Sequence, residues 1–133
     1  MPASRERGAA AVEFALIVPL LVAFLFAIVE GGTRYSQQSE VNHWAFLVAR
    51  DLSINPNASV NTLVGNLKGS GDSHTYSVTV KNASGTTVTP SSSTVCSSIT
   101  NNQVTVTISS GRTSPSGLFG SYTINGKGVA RCE

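Results

Sequence analysis

The chain has 133 residues, a formal net charge of +2 and charged side chains at only 12% of its positions. This length suits one small domain with an appendage, and the weak charge provides neither a basic field for nucleic acid nor an acidic tail. The first third is apolar, whereas Ser or Thr fills 20 of the 42 positions from residue 69 to residue 110. A membrane anchor joined to a polar domain is therefore predicted.

Residues 9–29 form an apolar run in which Glu13 is the only charged residue. As an α-helix rising about 1.5 Å per residue, this run just spans a hydrocarbon core of about 30 Å. Arg5 and Arg7 precede it, so the positive-inside rule keeps the N-terminus in the cytoplasm and places the remainder outside. We predict a transmembrane segment at residues 9–29. Pro19 should bend this segment, because proline removes one backbone donor.

Two ordinary kinds of N-terminal segment compete with this interpretation. A cleaved signal peptide has a shorter apolar region and ends in a small-x-small site, and residues 27–32, AIVEGG, offer no convincing one. An uncleaved signal anchor explains the length and the arginines but leaves Glu13 unexplained. A carboxylate near a helix end can lie at the membrane interface, so an uncleaved signal anchor remains an alternative interpretation.

The stretch RGAAAVEFALIVPLL, residues 7–21, carries a more specific pattern, with Glu13 five residues beyond Gly8. It resembles the class III signal of type IV pilin-like proteins. More closely, it resembles the opening of the TadE-like family, the pseudopilins of the tight-adherence (Flp) pilus, over residues 7–35. The resemblance implies that a prepilin peptidase cuts the Gly8–Ala9 bond on the cytoplasmic side. Residues 1–8 would then be a leader, and Ala9 would carry a methylated or free amine.

The residue after Glu13 separates two classes of subunit. The major pilins of this system typically have Tyr at that point and are very short, whereas Phe14 stands here and residues 55–133 follow the helix. Both differences favour a TadE-like minor pseudopilin. The resemblance further implies a bacterial inner membrane or pilus location, with the lipid bilayer, the prepilin peptidase and other pilin subunits as partners.

Cleavage would give Glu13 a counter-charge. An ammonium group on Ala9 and a carboxylate on Glu13 are each costly in an apolar helix bundle. When they pair between neighbouring subunits they neutralise one another and set the axial register, and separating them is severely unfavourable. Glu13 is therefore predicted to act in assembly.

The helical pattern resumes beyond Gly31 and Gly32, which mark the outer boundary of the membrane segment, and continues to residue 54. Its apolar stripe follows helical spacing: Val41, Trp44, Ala45, Val48 and Leu52. We predict that this stripe packs on a C-terminal sheet, and a subunit–subunit contact is the alternative.

Residues 55–133 are predicted to form a small α+β head domain. Asn57 should cap a short helix at residues 58–67, and strands are expected at residues 75–81, 86–89, 103–109 and 120–132. The predicted fold is α+β and pilin-like, with a long N-terminal helix and an antiparallel sheet packed on its outer half. Asn125-Gly126 inside the last strand indicates a hairpin turn or a bulge, and a bulged strand is preferred because the flanks are short.

The two cysteines, Cys96 and Cys132, both lie in the polar part of the chain. An even count outside the cytosol is compatible with one disulfide, and two unrelated buried thiols are the alternative. Such a bridge spans 37 positions. It would add roughly 3–4 kcal/mol by restricting the unfolded chain.

Catalytic and metal-binding patterns are not found in the sequence. His43 and His74 are the only bases near neutral pH, and packing or surface roles are expected for both. The His and Cys positions show no close pairing for zinc, and no nucleotide or hydrolase motif occurs. The sequence therefore predicts no enzyme, no cofactor and no metal. The cations of the head are too dispersed to identify a partner: Lys68, Lys81, Arg112, Lys127 and Arg131.

The leading hypothesis is thus a minor pilin or pseudopilin, processed by a prepilin peptidase and incorporated into a tight-adherence pilus or its assembly machinery for adherence. The alternative is a permanently anchored, single-pass membrane protein whose extracytoplasmic domain binds a ligand.

Overall fold

The structure is a computed structural model and describes residues 3–55, 57–88, 103–117 and 119–132. Its elements follow in chain order: α1 (Ala3–Ile54), α2 (Val60–Leu67), β1 (Tyr76–Lys81), β2 (Thr87–Val88), β3 (Gln103–Thr113) and β4 (Ser121–Arg131). The chain divides into two compact units, Met1–Arg34 and Tyr35–Glu133, and α1 contributes to both. The predicted α+β class, a long helix followed by a small antiparallel sheet, is confirmed.

In the first unit, the described chain is helical throughout. Neither Pro19 nor the Gly31–Gly32 pair interrupts α1. A proline removes one backbone hydrogen bond, and the turns on either side keep theirs. The bend at Pro19 stays a prediction.

The second unit is built on a four-stranded antiparallel sheet with the strand order β2-β1-β3-β4. The long central strand β3 pairs with β1 on one side and along its whole length with β4 on the other. Its inward side chains alternate with exposed or half-buried ones, and Val104, Val106 and Ile108 are fully buried as predicted. The predicted turn between β1 and β2 is confirmed, with Gly85 at φ +76°.

The second half of α1 packs against this sheet through the predicted stripe. Every residue of the stripe is at most 8% exposed. The approach is closest at Gly126 and Gly128 of β4. A Cβ built on Gly126 would lie 2.2 Å from the Val41 carbonyl oxygen, and one on Gly128 would lie 2.2 Å from that of Ala45. The predicted packing of the outer helical half on the sheet is therefore confirmed.

The predicted bulge at Asn125-Gly126 is wrong. Ser109 pairs with Asn125 and Ile108 with Gly126, in the same register that holds from one end of β4 to the other. The dipeptide forms no hairpin turn either. β3 continues to Thr113, four residues beyond its predicted end, and this length supplies pairing partners on both sides of the dipeptide. Glycine is needed here because the helix backbone occupies the space of a side chain.

The short helix α2 begins at Val60, two residues later than predicted. Its N-cap is Ser59 rather than Asn57, and no side chain makes the capping hydrogen bond. Before this start, the Ala58 N–H donates to the Asn55 carbonyl, a hydrogen bond outside the helix. The predicted apolar face is confirmed, with Val60 and Val64 buried and Leu63 and Leu67 packed beside them.

Candidate functional site

The apolar part of α1 presents an uncovered hydrophobic surface. Twelve large apolar side chains from Val12 to Val29 are 41–74% exposed. Of the described helices, only Gly8–Ile54 of α1 is long and apolar enough to cross a membrane, and its most apolar stretch is entirely unburied. Transfer of apolar surface out of water is worth about 25 cal/mol per Å². This surface fits a membrane-anchored protein.

Gly8, Ala9 and Glu13 all lie on exposed turns of this helix. Residues four apart in an α-helix share a face, so Glu13 lies about 6 Å along the axis from Ala9 and on the same side. Among the side chains that the structure describes, which begin at residue 8, Glu13 has no ion-pair or hydrogen-bond partner. The structure thus brings the predicted cleavage point and the predicted assembly carboxylate to one face.

The far end of the apolar segment is arranged differently. Glu30 is 5% exposed, and its Oε1 lies 3.4 Å from Nε of Arg34, one helical turn later. The Thr33 hydroxyl donates to the Val29 carbonyl over 2.8 Å. Glu30 thus has an opposite charge one helical turn away. Among the side chains described in the first unit, Glu13 is the carboxylate without a partner.

Comparison with protein families adds an independent observation. Residues 8–50 match the family described as TadE-like protein. The N-terminal helix is therefore similar to this family over these residues. The match begins at Gly8 and includes Ala9, Glu13 and Pro19, and proteins of this family are associated with the tight-adherence pilus. No curated protein and no solved structure matches the chain.

Beyond the TadE-like segment, the head contains a partly buried polar cluster formed by Asp72, His74, Tyr76 and Arg112. One carboxylate oxygen of Asp72 accepts from the Tyr76 hydroxyl. The other lies 2.6 Å from His74 Nδ1 and accepts from the His74 N–H over 2.8 Å. Nη2 of Arg112 donates to the Tyr76 hydroxyl over 2.7 Å. The cluster therefore joins the loop before β1 to β1 and β3.

These contacts change the acidity of two groups. Burial by itself would raise the pKa of the Asp72 carboxyl, but hydrogen bonds from Tyr76 and His74 outweigh it and lower that pKa well below its usual range. Burial, reinforced by the hydrogen bond to Asp72, raises the pKa of Tyr76 to about 12. Asp72 is therefore an anion and Tyr76 a neutral donor at physiological pH.

The cluster also contacts the outer half of α1. The Tyr76 ring packs on Trp44 with its centroid 5.3 Å away. His74, the nearest base, is turned towards Asp72, and the other histidine, His43, is exposed on α1. Within the described residues, no three His, Cys, Asp or Glu side chains are placed to hold a metal ion.

Sequence reasoning missed this cluster, although one signal pointed to it. Arg112 continues the inward parity of Val104, Val106 and Ile108, and it is 6% exposed. Predicting the end of β3 at Ser109 left Arg112 outside the sheet. If β3 is continued without interruption, the alternation of inward and outward side chains places Arg112 on the core side.

The predicted disulfide involves one described residue. Cys132 is half-buried beyond the end of β4 and packs against the core. Cys96 lies outside the described residues, as does the predicted irregular connection at residues 90–102. The Cys96–Cys132 disulfide stays a prediction.

Proposed function

We propose that the chain is a minor pilin or pseudopilin of a tight-adherence pilus. A prepilin peptidase would cut the Gly8–Ala9 bond and remove residues 1–8. Residues 9–29 would remain as the transmembrane segment, residues 30–54 as the outer half of the helix and residues 55–133 as the extracytoplasmic head. The observation that carries the proposal is Glu13, which has no partner among the described side chains and lies one turn from Ala9 in a helix similar to the TadE-like family.

Electrostatics supports a role for Glu13 outside its own subunit. An isolated carboxylate in hydrocarbon costs several kcal/mol, so intramembrane carboxylates generally have partners and functions. Cleavage creates an ammonium group at Ala9, whose opposite charge would neutralise Glu13 of a neighbouring subunit. The bare helix surface around Glu13 would pack in the same bundle. The ion pair between Ala9 and Glu13 forms at only one axial offset between neighbouring subunits. At other offsets both charges would be buried without a partner, so the pair selects that offset.

The direction of insertion follows from the flanking charges. Arg5 and Arg7 would stay in the cytoplasm of a bacterial inner membrane, and the head would face the periplasm or the cell exterior. The Gly8–Ala9 bond would then be on the cytoplasmic side, within reach of a membrane-bound peptidase. Both cysteines would be on the oxidising side, where a disulfide persists.

N-terminal sequencing of the full chain extracted from membranes tests this proposal. In cells with an active prepilin peptidase, Ala9 is expected as the first residue. Gly8→Val should retain the leader because it replaces the glycine that precedes the predicted cut. Gly32→Val is the matched control, since it changes a glycine of the same helix that also has open space around its Cα, and it should be cut normally.

The opposite result supports the permanently anchored alternative. If the wild-type chain keeps Met1 or Pro2 at its N-terminus in such cells, the leader is not removed. Glu13 would then face no new amine, and the pseudopilin proposal would be contradicted.

A further inference from the structure

The sheet gathers some of the dispersed cations of the head on one face. Arg112 is buried against Tyr76, and Lys68 donates to the His74 carbonyl over 3.1 Å. The three remaining cations, Lys81, Lys127 and Arg131, are all exposed. They alternate with inward residues of β1 and β4, so they lie on the outer face, opposite α1.

Strand register fixes the spacing of these three cations. Lys81 pairs with Thr105, and Thr105 pairs with Val129, which lies midway between Lys127 and Arg131 on β4. With strands about 4.8 Å apart and a rise of about 3.3 Å per residue, each cation is about 12–13 Å from the other two, measured between Cα atoms. The three form a nearly equilateral triangle.

The strand positions around the triangle are hydroxyl-rich. Thr79 and Thr107 align across the strands with Lys127, and Thr105 lies between Lys81 and Val129. The strands β1, β3 and β4 contain no Asp or Glu. Among the described residues, none of the three cations forms an ion pair. Their charges are available to an external ligand.

We propose that this outer face, defined by Lys81, Lys127, Arg131 and the Thr side chains between them, binds an anionic polysaccharide. Separated cations on a flat surface suit carboxylates repeated along a polymer, because an extended chain that follows one edge of the triangle, such as that from Lys127 to Arg131, can place a carboxylate near the cation at each end. The intervening hydroxyls both donate and accept hydrogen bonds, as sugar hydroxyls require.

Two other polyanions fit this face less well. Single-stranded nucleic acid is generally held by aromatic platforms on which bases stack. Both tyrosines of the paired strands, Tyr76 and Tyr122, belong to the inward parity, so the outer face offers no such platform. An anionic membrane surface generally engages apolar side chains as well, and Val129 is the one large apolar residue among the paired outer positions. The proposal does not depend on cleavage after Gly8.

Binding of the full chain, held in micelles of an uncharged detergent, to polygalacturonate tests the inference. Lys127→Gln/Arg131→Gln should weaken binding about tenfold, since two charged contacts are lost. The matched control is Arg50→Gln/Lys68→Gln, which removes the same net charge away from the outer face and should change the affinity less than about twofold. Fluorescence of Trp44 verifies that each variant is folded.

Several outcomes would overturn the proposal. Equal losses in the two double variants would mean that net charge alone, and not this face, attracts the polymer. If neutral dextran bound as tightly as polygalacturonate, charge would not account for the binding. Tighter binding of single-stranded DNA or of anionic vesicles than of polygalacturonate would assign the face to another class of polyanion. A wild-type chain that does not bind polygalacturonate even at low salt would also contradict it.

Discussion

The backbones of β4 and α1 meet directly at Gly126 and Val41, where a Cβ on the glycine would lie 2.2 Å from the helix carbonyl oxygen. The contact repeats at Gly128 and Ala45. From Gly126 to Gly128 the strand rises about 6.7 Å, and from Val41 to Ala45 the helix rises about 6 Å. Because these two distances are similar, each glycine can lie against a successive turn of the helix. This pair of contacts sets how closely the helix lies on the sheet.

Gly126→Ala should destabilise the second unit by about 3 kcal/mol, because the added methyl group meets backbone atoms that cannot rotate away. Unfolding of the full chain in neutral detergent, followed through Trp44, measures the change. Trp44 is the only tryptophan and is 8% exposed, so its fluorescence reports on this core.

Gly111→Ala is the matched control, since Gly111 lies in β3 with open space where its Cβ would be. It should leave the free energy of unfolding unchanged or slightly higher. Equal destabilisation by the two substitutions would refute a specific role for the helix contact at Gly126.

Acid should destabilise the second unit through Asp72. Its pKa is lowered in the folded state, so the stabilisation is complete above about pH 4, the ordinary range of an aspartate, and is lost as the pH falls towards the folded-state pKa. Asp72→Asn should cost about 2 kcal/mol at pH 7 and reduce the acid dependence. Unfolding curves between pH 2.5 and pH 7 measure both effects. A wild-type and a variant curve with the same pH dependence would disprove this role.

Tyr76→Phe separates the hydrogen bond from the packing of the ring. The variant keeps the contact with Trp44 but removes the hydroxyl that donates to Asp72. We expect a smaller loss of stability than in Asp72→Asn, about 1 kcal/mol, with a weaker acid dependence than in the wild type. An acid dependence equal to that of the wild type would mean that His74, rather than Tyr76, accounts for the lowered pKa of Asp72.

The apolar pattern of the sequence was sufficient for the helices and for the core of the sheet. Apolar residues recur at helical spacing from Val41 to Leu52 and at every second position from Val104 to Ile108. Such periods arise because one face of each element is buried. Asn125-Gly126 was misread for the opposite reason. The dipeptide is a local turn signal, whereas its conformation is decided by β3 and by α1, which are distant in sequence.

The polar cluster required three-dimensional information. Asp72 and Arg112 are separated by 40 positions, and neither has a periodic neighbour that indicates a pair. Arg112 enters the core only because Tyr76 and Asp72 supply an acceptor and a charge there. The placement of Gly8 and Glu13 on one helix, in contrast, could be predicted from the sequence because their spacing is local, and their roles stay predictions.

The predicted disulfide between Cys96 and Cys132 can be tested chemically. We expect the oxidised protein, unfolded without reductant, to take up no alkylating reagent. Reduction should lower the free energy of unfolding by about 3 kcal/mol, because the unfolded chain gains freedom. Mass spectrometry after alkylation detects the bridge. Labelling of both Cys96 and Cys132 before reduction would exclude it.

Glu13 provides the most direct test of the central claim, which is that this carboxylate serves assembly. The measurement is the amount of full-length chain that copurifies with sheared pili, relative to the amount in the membrane, for the wild type, Glu13→Ala and Glu40→Ala. Glu40 is an exposed carboxylate of the same helix beyond the apolar segment, so its variant should assemble normally. Breaking a buried ion pair costs about 3 kcal/mol or more, so Glu13→Ala should insert into the membrane yet fall about a hundredfold in the pilus fraction. Incorporation of Glu13→Ala at the level of Glu40→Ala would contradict the account.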